Sequence, residues 1–232
     1  MLIPTAISQD SALLYKICRN NSQNYTSTFA KNLKSLLDDL YINTPRNDGF
    51  WKAQHGQAYG LALCRGDVSP DDCDFCLYDA RCKITQRCNK PKAIVWYDYC
   101  YLKYSDYDFF GEIDNKNKVY LWNTDNATTD PQGFNATVRG LLSNISGKAI
   151  KTARLFASGQ KYEEKENATI YGMAQCSRDL SKGNCTRCLQ GAVNELPGFT
   201  TKTSPIGGRT LTGSCNVRYE TYTFLNDQPK TV

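Results

Sequence analysis

Phe29, Leu33, Leu36, Leu37 and Leu40 fall at offsets 0, 4, 7, 8 and 11, with mostly polar residues between them. That spacing lays five apolar side chains along one face of a helix. The same offsets return at Phe134, Val138, Leu141, Leu142 and Ile145. A second helix is predicted in each half. Ser69-Pro70-Asp71-Asp72 reads as an N-cap, a proline at the first helical position, and acids beside the positive helix end. Cys73, Cys76, Leu77 and Ala80 then share one face at 0, 3, 4 and 7, and Cys185, Cys188, Leu189 and Ala192 repeat the spacing. Both C-x-x-C pairs therefore face the core. Each half closes on strand-like sequence. Residues 94–104 are rich in β-branched and aromatic side chains. Residues 210–224 alternate, which predicts Leu211, Gly213, Cys215, Val217 and Tyr219 on one face.

These parallels belong to an internal repeat. Cys64, Cys73 and Cys76, spaced C-x8-C-x2-C, recur at Cys176, Cys185 and Cys188 after a shift of 112. Tyr59-Gly60, Ala62, Asp67 and Ser69 recur at the same shift. A repeat of this length is a whole domain rather than a solenoid unit. The pattern predicts an α+β chain of two tandem domains, residues 12–115 and 130–227, each with two helices on an antiparallel sheet. Residues 116–129, dominated by Asn, Asp, Lys and Thr, read as the linker.

The C-x8-C-x2-C element allows three readings: a metal site, a redox dithiol or a disulfide staple. The chain has 232 residues, with 11 Cys and 1 His. A structural zinc site recruits Cys with His, or four Cys in paired hooks, and each half holds one hook only, so no metal is expected. A thioredoxin-like dithiol needs a βαβ context that is missing here. Sequons at Asn20, Asn24, Asn126, Asn135, Asn144, Asn167 and Asn184 exceed the roughly one or two that chance would give, and favour the secretory pathway, where disulfides form. The first ten residues are too short and too polar for a complete signal peptide. No run of 18 apolar residues occurs, so membrane attachment would need a segment outside this chain.

Net charge is +5, without a Lys/Arg run, which argues against nucleic-acid binding. A cysteine nucleophile would need a base, and His55 sits alone in the polar, loop-like segment 51–57. No phosphate-binding loop, dinucleotide fingerprint or kinase motif is present, so neither an enzyme nor a cofactor is expected. Arg65-Gly66-Asp67 reads as a tight turn rather than an adhesion tripeptide.

The repeated cysteine motif, the preceding Tyr-Gly, Trp96-Tyr97-Asp98-Tyr99-Cys100 and the tail Ser214-Cys215-Asn216-Val217-Arg218-Tyr219-Glu220 resemble the plant salt-stress-response/antifungal domain of ginkbilobin. Tandem copies form cysteine-rich receptor-like kinase ectodomains, plasmodesmata-located proteins and cysteine-rich repeat secretory proteins. The resemblance covers about residues 14–225. It implies two helices on a five-stranded antiparallel sheet in each copy. It implies the disulfides Cys18–Cys88, Cys64–Cys73, Cys76–Cys100, Cys176–Cys185 and Cys188–Cys215, and leaves Cys82 as a free thiol, which reads either as an unpaired or small-thiol-capped cysteine without a role or as one able to link chains into a homo- or heterodimer. The second copy lacks counterparts of Cys18 and Cys88 and is expected to be less stapled, by roughly 2–4 kcal/mol.

The resemblance also implies a mannose site built from Asn, Arg and Glu. The Arg and Glu positions hold Arg209 and Glu220 in the second copy, and the Asn position, counted without gaps from Phe134, falls on Thr124, with Asn123 and Asn126 beside it, so that Asn123 and Thr124 are the candidates for the third ligand. In the first copy the three positions hold Arg19, Ile94 and Ser105. Arg209 and Glu220 are eleven apart, so one regular strand would put them on opposite faces unless it bends near Gly213-Ser214. The aromatics Tyr97, Tyr99, Tyr101, Tyr104, Tyr107, Phe109 and Phe110 read as core, with any remainder serving a partner or the contact between copies. The expectation is a non-enzymatic extracellular recognition module of a plant, in the apoplast or on the outer face of the plasma membrane. It would act in stress or defence signalling and bind a mannose-type glycan or a protein partner. The alternative is a secreted antifungal lectin.

Overall fold

The computed structural model describes residues 12–19, 26–200 and 203–226. In the first copy, β1 (Leu13–Arg19) precedes α1 (Ser27–Asn43), the hairpin β2 (Phe50–His55) and β3 (Ala58–Cys64), α2 (Pro70–Arg87), and the hairpin β4 (Lys92–Tyr97) and β5 (Cys100–Ser105). The second copy repeats the order with β6 (Lys118–Trp122), α3 (Pro131–Ala149), β7 (Phe156–Glu163), β8 (Ala168–Cys176), α4 (Lys182–Asn194), the short α5 (Pro197–Thr200), β9 (Gly208–Thr212) and β10 (Cys215–Glu220). The two antiparallel sheets run β1-β4-β5-β3-β2 and β6-β9-β10-β8-β7, the same topology twice.

The helices form where the apolar stripes predict them. Their starts are closed by side chains that take an otherwise unpaired backbone N–H: Thr26 from Phe29, Ser69 from Asp72, Asp130 from Gly133, Ser181 from Asn184. The α1 and α3 stripes are buried on their sheets. Disulfides fasten the helices down: Cys64–Cys73 and Cys176–Cys185 tie a strand to a helix start, Cys76–Cys100 and Cys188–Cys215 tie that helix to the sheet, and Cys18–Cys88 closes the first copy's edge. Cys82 is unpaired and half-buried on α2.

Part of each sheet's outer face is covered by the other copy. Ile94 and Trp96 of β4 meet Val119 of β6 and Leu211 of β9 in a cluster bordered by Leu14, Ile17, Tyr101 and Leu121. The outer face of one sheet is thus packed on the outer face of the other, giving four layers: helices, sheet, sheet, helices. Trp96 Nε1 donates to the Thr212 carbonyl across this layer at 3.2 Å, and Gln175 Nε2 to the Cys64 carbonyl at 3.0 Å. Arg154 ion-pairs with Asp48 and donates to the Gly66 carbonyl.

Several expectations change here. The linker 116–129 contains β6, the edge strand of the second sheet. Segment 51–57 is not a loop but most of β2 and its turn. Residues 210–224 are not one strand: Leu211 lies on β9 and turns into the inter-copy layer, while Cys215, Val217 and Tyr219 on β10 face the helices. Arg65 and Asp67 are buried and paired, with Nε to Oδ1 at 2.6 Å, so the tripeptide is closed to partners. Gly66 is demanded by contact rather than by its own torsion: a Cβ there would come within 2.3 Å of the Phe156 ring of the other copy. Of the aromatic run, Tyr97, Tyr104 and Phe109 are core, Tyr101 borders the inter-copy cluster, and Tyr107 is exposed.

The sequons separate by environment. Asn20 and Asn24 lie outside the described residues. Asn144 is exposed on α3, and Asn126 and Asn167 are exposed in loops. Asn135 Nδ2 donates to the Gly198 carbonyl at 3.0 Å and to Ser204 Oγ at 2.9 Å, and Asn184 Nδ2 donates to the Gly111 carbonyl at 2.9 Å. A glycan on either would displace those bonds. Peptide mapping of protein from a plant secretory host should find Asn144 occupied and Asn135 bare. Full occupancy at Asn135 would contradict the packing around α5.

Candidate functional site

Arg209 and Glu220 come together because they sit on two strands of one hairpin, not on a single strand. Arg209 on β9 pairs with Arg218 on β10, and Glu220 lies two residues further along β10 on the same face. The turn at Gly213-Ser214 supplies the reversal that the one-strand reading lacked.

The strand register also relocates the asparagine. Ile94 pairs with Ile17 in the first sheet, and its counterpart Arg209 pairs with Leu121 in the second. Leu121 therefore corresponds to Ile17, and Asn123 rather than Thr124 corresponds to Arg19. Asn123 continues the edge of β6, its backbone N–H bonded to the Gly207 carbonyl at 2.9 Å. Its Oδ1 accepts from the Asp125 N–H at 3.0 Å. Asn123, Arg209 and Glu220 line one open cleft of ≈ 1020 Å³, and Thr124 does not.

The first copy supplies the far wall of this cleft, through Asp98 and Tyr99 at the β4–β5 turn. Asp98 Oδ1 accepts from Arg209 Nη1 at 2.8 Å and from Arg218 Nη1 at 3.0 Å, with Arg65 Nη1 at 3.6 Å from its other oxygen. Arg209 Nε donates to Asn216 Oδ1, leaving Nη2 outside these bonds. Arg218 Nε donates to Glu220 Oε1 at 2.9 Å, and Nη2 to the Tyr222 hydroxyl. The Phe224 ring lies 4.1 Å from the Arg218 guanidinium.

Burial dominates the electrostatics. It pushes the Asp98 carboxyl up, but the charges of Arg209, Arg218 and Arg65 more than reverse this and hold it below the ordinary 3.8. Burial, together with repulsion from Arg218, brings Arg209 down to about 10, so it stays cationic at neutral pH. Burial raises Glu220 above its ordinary 4.5, against the pull of Arg218. Gly207 makes room for that carboxylate, since a Cβ there would stand 1.9 Å from Glu220 Oε2. The cleft thus presents an amide, a guanidinium and a carboxylate on rigid strands, a set suited to a neutral polyol.

Among the described residues no group of three or more His, Cys, Asp and Glu is placed to hold a metal ion. His55 is spent on Asp39, 2.7 Å away. No helix among them is long and apolar enough to cross a membrane.

A family model described as salt stress response/antifungal matches residues 17–107 and 122–222. The chain belongs to this family. It is 45% identical over 219 residues to an antimicrobial ginkbilobin-2-like protein of Castanea crenata, covering 92% of this chain and 89% of that one. It is 41% identical to cysteine-rich repeat secretory protein 38 of Arabidopsis thaliana, covering 94% and 88%. It is 34% identical to cysteine-rich receptor-like protein kinase 25 of the same plant, where it covers 97% of this chain but 34% of the kinase. The tandem ectodomain of the Arabidopsis thaliana cysteine-rich receptor-like protein PDLP8 shares the fold, with TM-score 0.74 at 21% identity, covering 92% of this chain and all of that one. The tandem α+β architecture is therefore that of this plant family of cysteine-rich secreted and receptor-like proteins.

Asp98 and Arg218 were not singled out from the sequence, although both lie in the stretches that carry the resemblance. An acid inside the aromatic run 96–101 was the available signal. Its hydrogen-bond partners Arg209 and Arg218 lie more than 100 residues away and become visible only once the sheets are packed.

Proposed function

We propose that this protein is a non-enzymatic, extracellular plant recognition protein that binds a mannose-type glycan in the cleft between its two copies. The observation that supports this reading most is the strand register that brings Asn123 beside Arg209 and Glu220. Glu220 accepts from adjacent sugar hydroxyls, while Arg209 Nη2 and the Asn123 amide donate to others. Charge-assisted bonds of this kind are the strong ones, and fixed strands hold them at low entropic cost. The likeness to an antimicrobial protein extends the proposal to mannose-rich fungal surfaces as the target. The likeness to a receptor kinase supports a second reading, in which the same module forms a sensing ectodomain and its ligand is a protein.

The glycan reading is tested on a glycan array, followed by titration of the best mannoside. Glu220→Gln and Asn123→Ala are each expected to weaken binding about 10- to 100-fold, the worth of a hydrogen bond to a charged or buried partner. Gly207→Ala should do the same with the fold intact, because its Cβ displaces the Glu220 carboxylate. Binding should also fall in acid as Glu220 protonates, at a pH above its ordinary 4.5. No mannoside binding, or binding that all three variants leave unchanged, would remove the glycan reading and favour the protein ligand.

A further inference from the structure

The repeat aligns α1 with α3 and α2 with α4, so the groove between each helix pair can be compared residue by residue. Tyr41 corresponds to Ser146, Ile42 to Gly147, Asp74 to Thr186, Tyr78 to Gln190 and Arg81 to Val193. In the first copy two aromatic rings lie over the groove, Tyr41 half-buried and Tyr78 exposed. Tyr41 and Tyr78 pack edge to face with ring centroids 6.0 Å apart. The Tyr41 hydroxyl donates to Asp74 Oδ2 at 3.3 Å, and the Arg81 guanidinium lies 5.1 Å from the Tyr41 ring.

In the second copy both rings and both charges are gone. What remains is a cavity of ≈ 200 Å³ bordered by Ser146, Gly147, Ile150, Thr186, Gln190 and Val193. Ser146 Oγ is buried there with no hydrogen-bond partner among the described residues. A buried hydroxyl left unpaired forfeits its bonds to water and gains none in return. A natural chain keeps such a group where something else satisfies it.

We propose that the α3–α4 groove of the second copy binds one phenol-type ring of a small molecule. The framework already holds such rings in the first copy. The volume suits one: an apolar cavity of about 150 Å³ takes up benzene. Replacement of Arg81 and Asp74 by Val193 and Thr186 removes the charges and fits a neutral ligand. Ser146 Oγ offers the hydrogen bond that orients it. This site is far from the inter-copy cleft in the fold, on the helix side of the second sheet, and does not depend on the glycan reading.

The test is an amide NMR titration of the full chain with p-cresol, on an Asn144→Gln background because Ser146 completes that sequon. Saturable shifts are expected around Ser146–Ile150 and Thr186–Val193, with a dissociation constant on the order of a millimolar for so small a ligand. Ser146→Tyr/Gln190→Tyr rebuilds the first copy's pair and should weaken binding at least tenfold. Tyr41→Ser/Tyr78→Gln should open a second site in the first copy. Absence of saturable shifts on α3 and α4 in the parent protein overturns the proposal, and so do shifts that persist in the refilled variant. If either double variant misfolds, the position of the shifts in the parent protein and the effect of Gln190→Tyr alone decide.

Discussion

Replacing Trp96 with alanine should lower folding stability by about 3–5 kcal/mol, the usual cost of deleting a buried large aromatic. Trp96 is 3% exposed and sits at the centre of the layer between the sheets, against Ile94, Val119 and Leu211. Its loss opens a cavity that neither sheet can close, because each is held from behind by its own helices and disulfides. It also strips the Thr212 carbonyl of its donor, in a layer where water has little access. The damage should fall on the coupling of the copies more than on either core. Urea unfolding of the parent protein should show one transition. The variant should show a lower midpoint and two separable transitions, one for each stapled copy. A shift below about 1 kcal/mol would mean that the sheets are not packed through this residue.

Asp98→Ala should be the next most damaging change, at about 3 kcal/mol, the low end for breaking a buried ion pair because the Asp98 side chain keeps 29% of its exposure. The variant leaves Arg209 and Arg218 facing each other without the carboxylate between them. Since the folded-state pKa of Asp98 is depressed, its contribution is fully present above 3.8 and is lost as pH falls through the folded value. The stability gap between parent and variant should therefore be constant from pH 5 to 7 and close in stronger acid. Asp98→Asn, which keeps an acceptor but no charge, should lose less. Equilibrium unfolding at several pH values checks this, and a gap that acid does not narrow would assign the effect to packing instead. Because Asp98 belongs to the first copy and both arginines to the second, the same variant should also loosen the cleft.

The elements were legible where periodicity and burial agree. The α1 and α3 stripes, the cap at Ser69 and the core-facing cysteines follow from residue spacing alone. The disulfide pairs and the strand count came with the family resemblance and not from spacing. The failures have a common physical origin. Strands β3, β4, β8 and β9 are buried on both faces, so no alternation marks which side faces the helices, and Leu211 was assigned to the wrong layer. Strand β6 is a short edge strand in which Val119 alone is buried, and polar neighbours on both sides hid it in a linker. A gapless count lands on Thr124, next to Asn123, because the connection from edge strand to helix is one residue longer in the second copy: Arg19 precedes Phe29 by ten residues, Asn123 precedes Phe134 by eleven. A gapless count cannot see that difference, whereas backbone pairing fixes it.

The most direct test of the account is a crystal structure of the protein with methyl α-mannoside. The sugar should lie in the cleft between the copies, its hydroxyls within hydrogen-bond distance of the Asn123 amide, Arg209 Nη2 and the Glu220 carboxylate. A sugar bound elsewhere, or a cleft that stays empty at saturating mannoside, would contradict it.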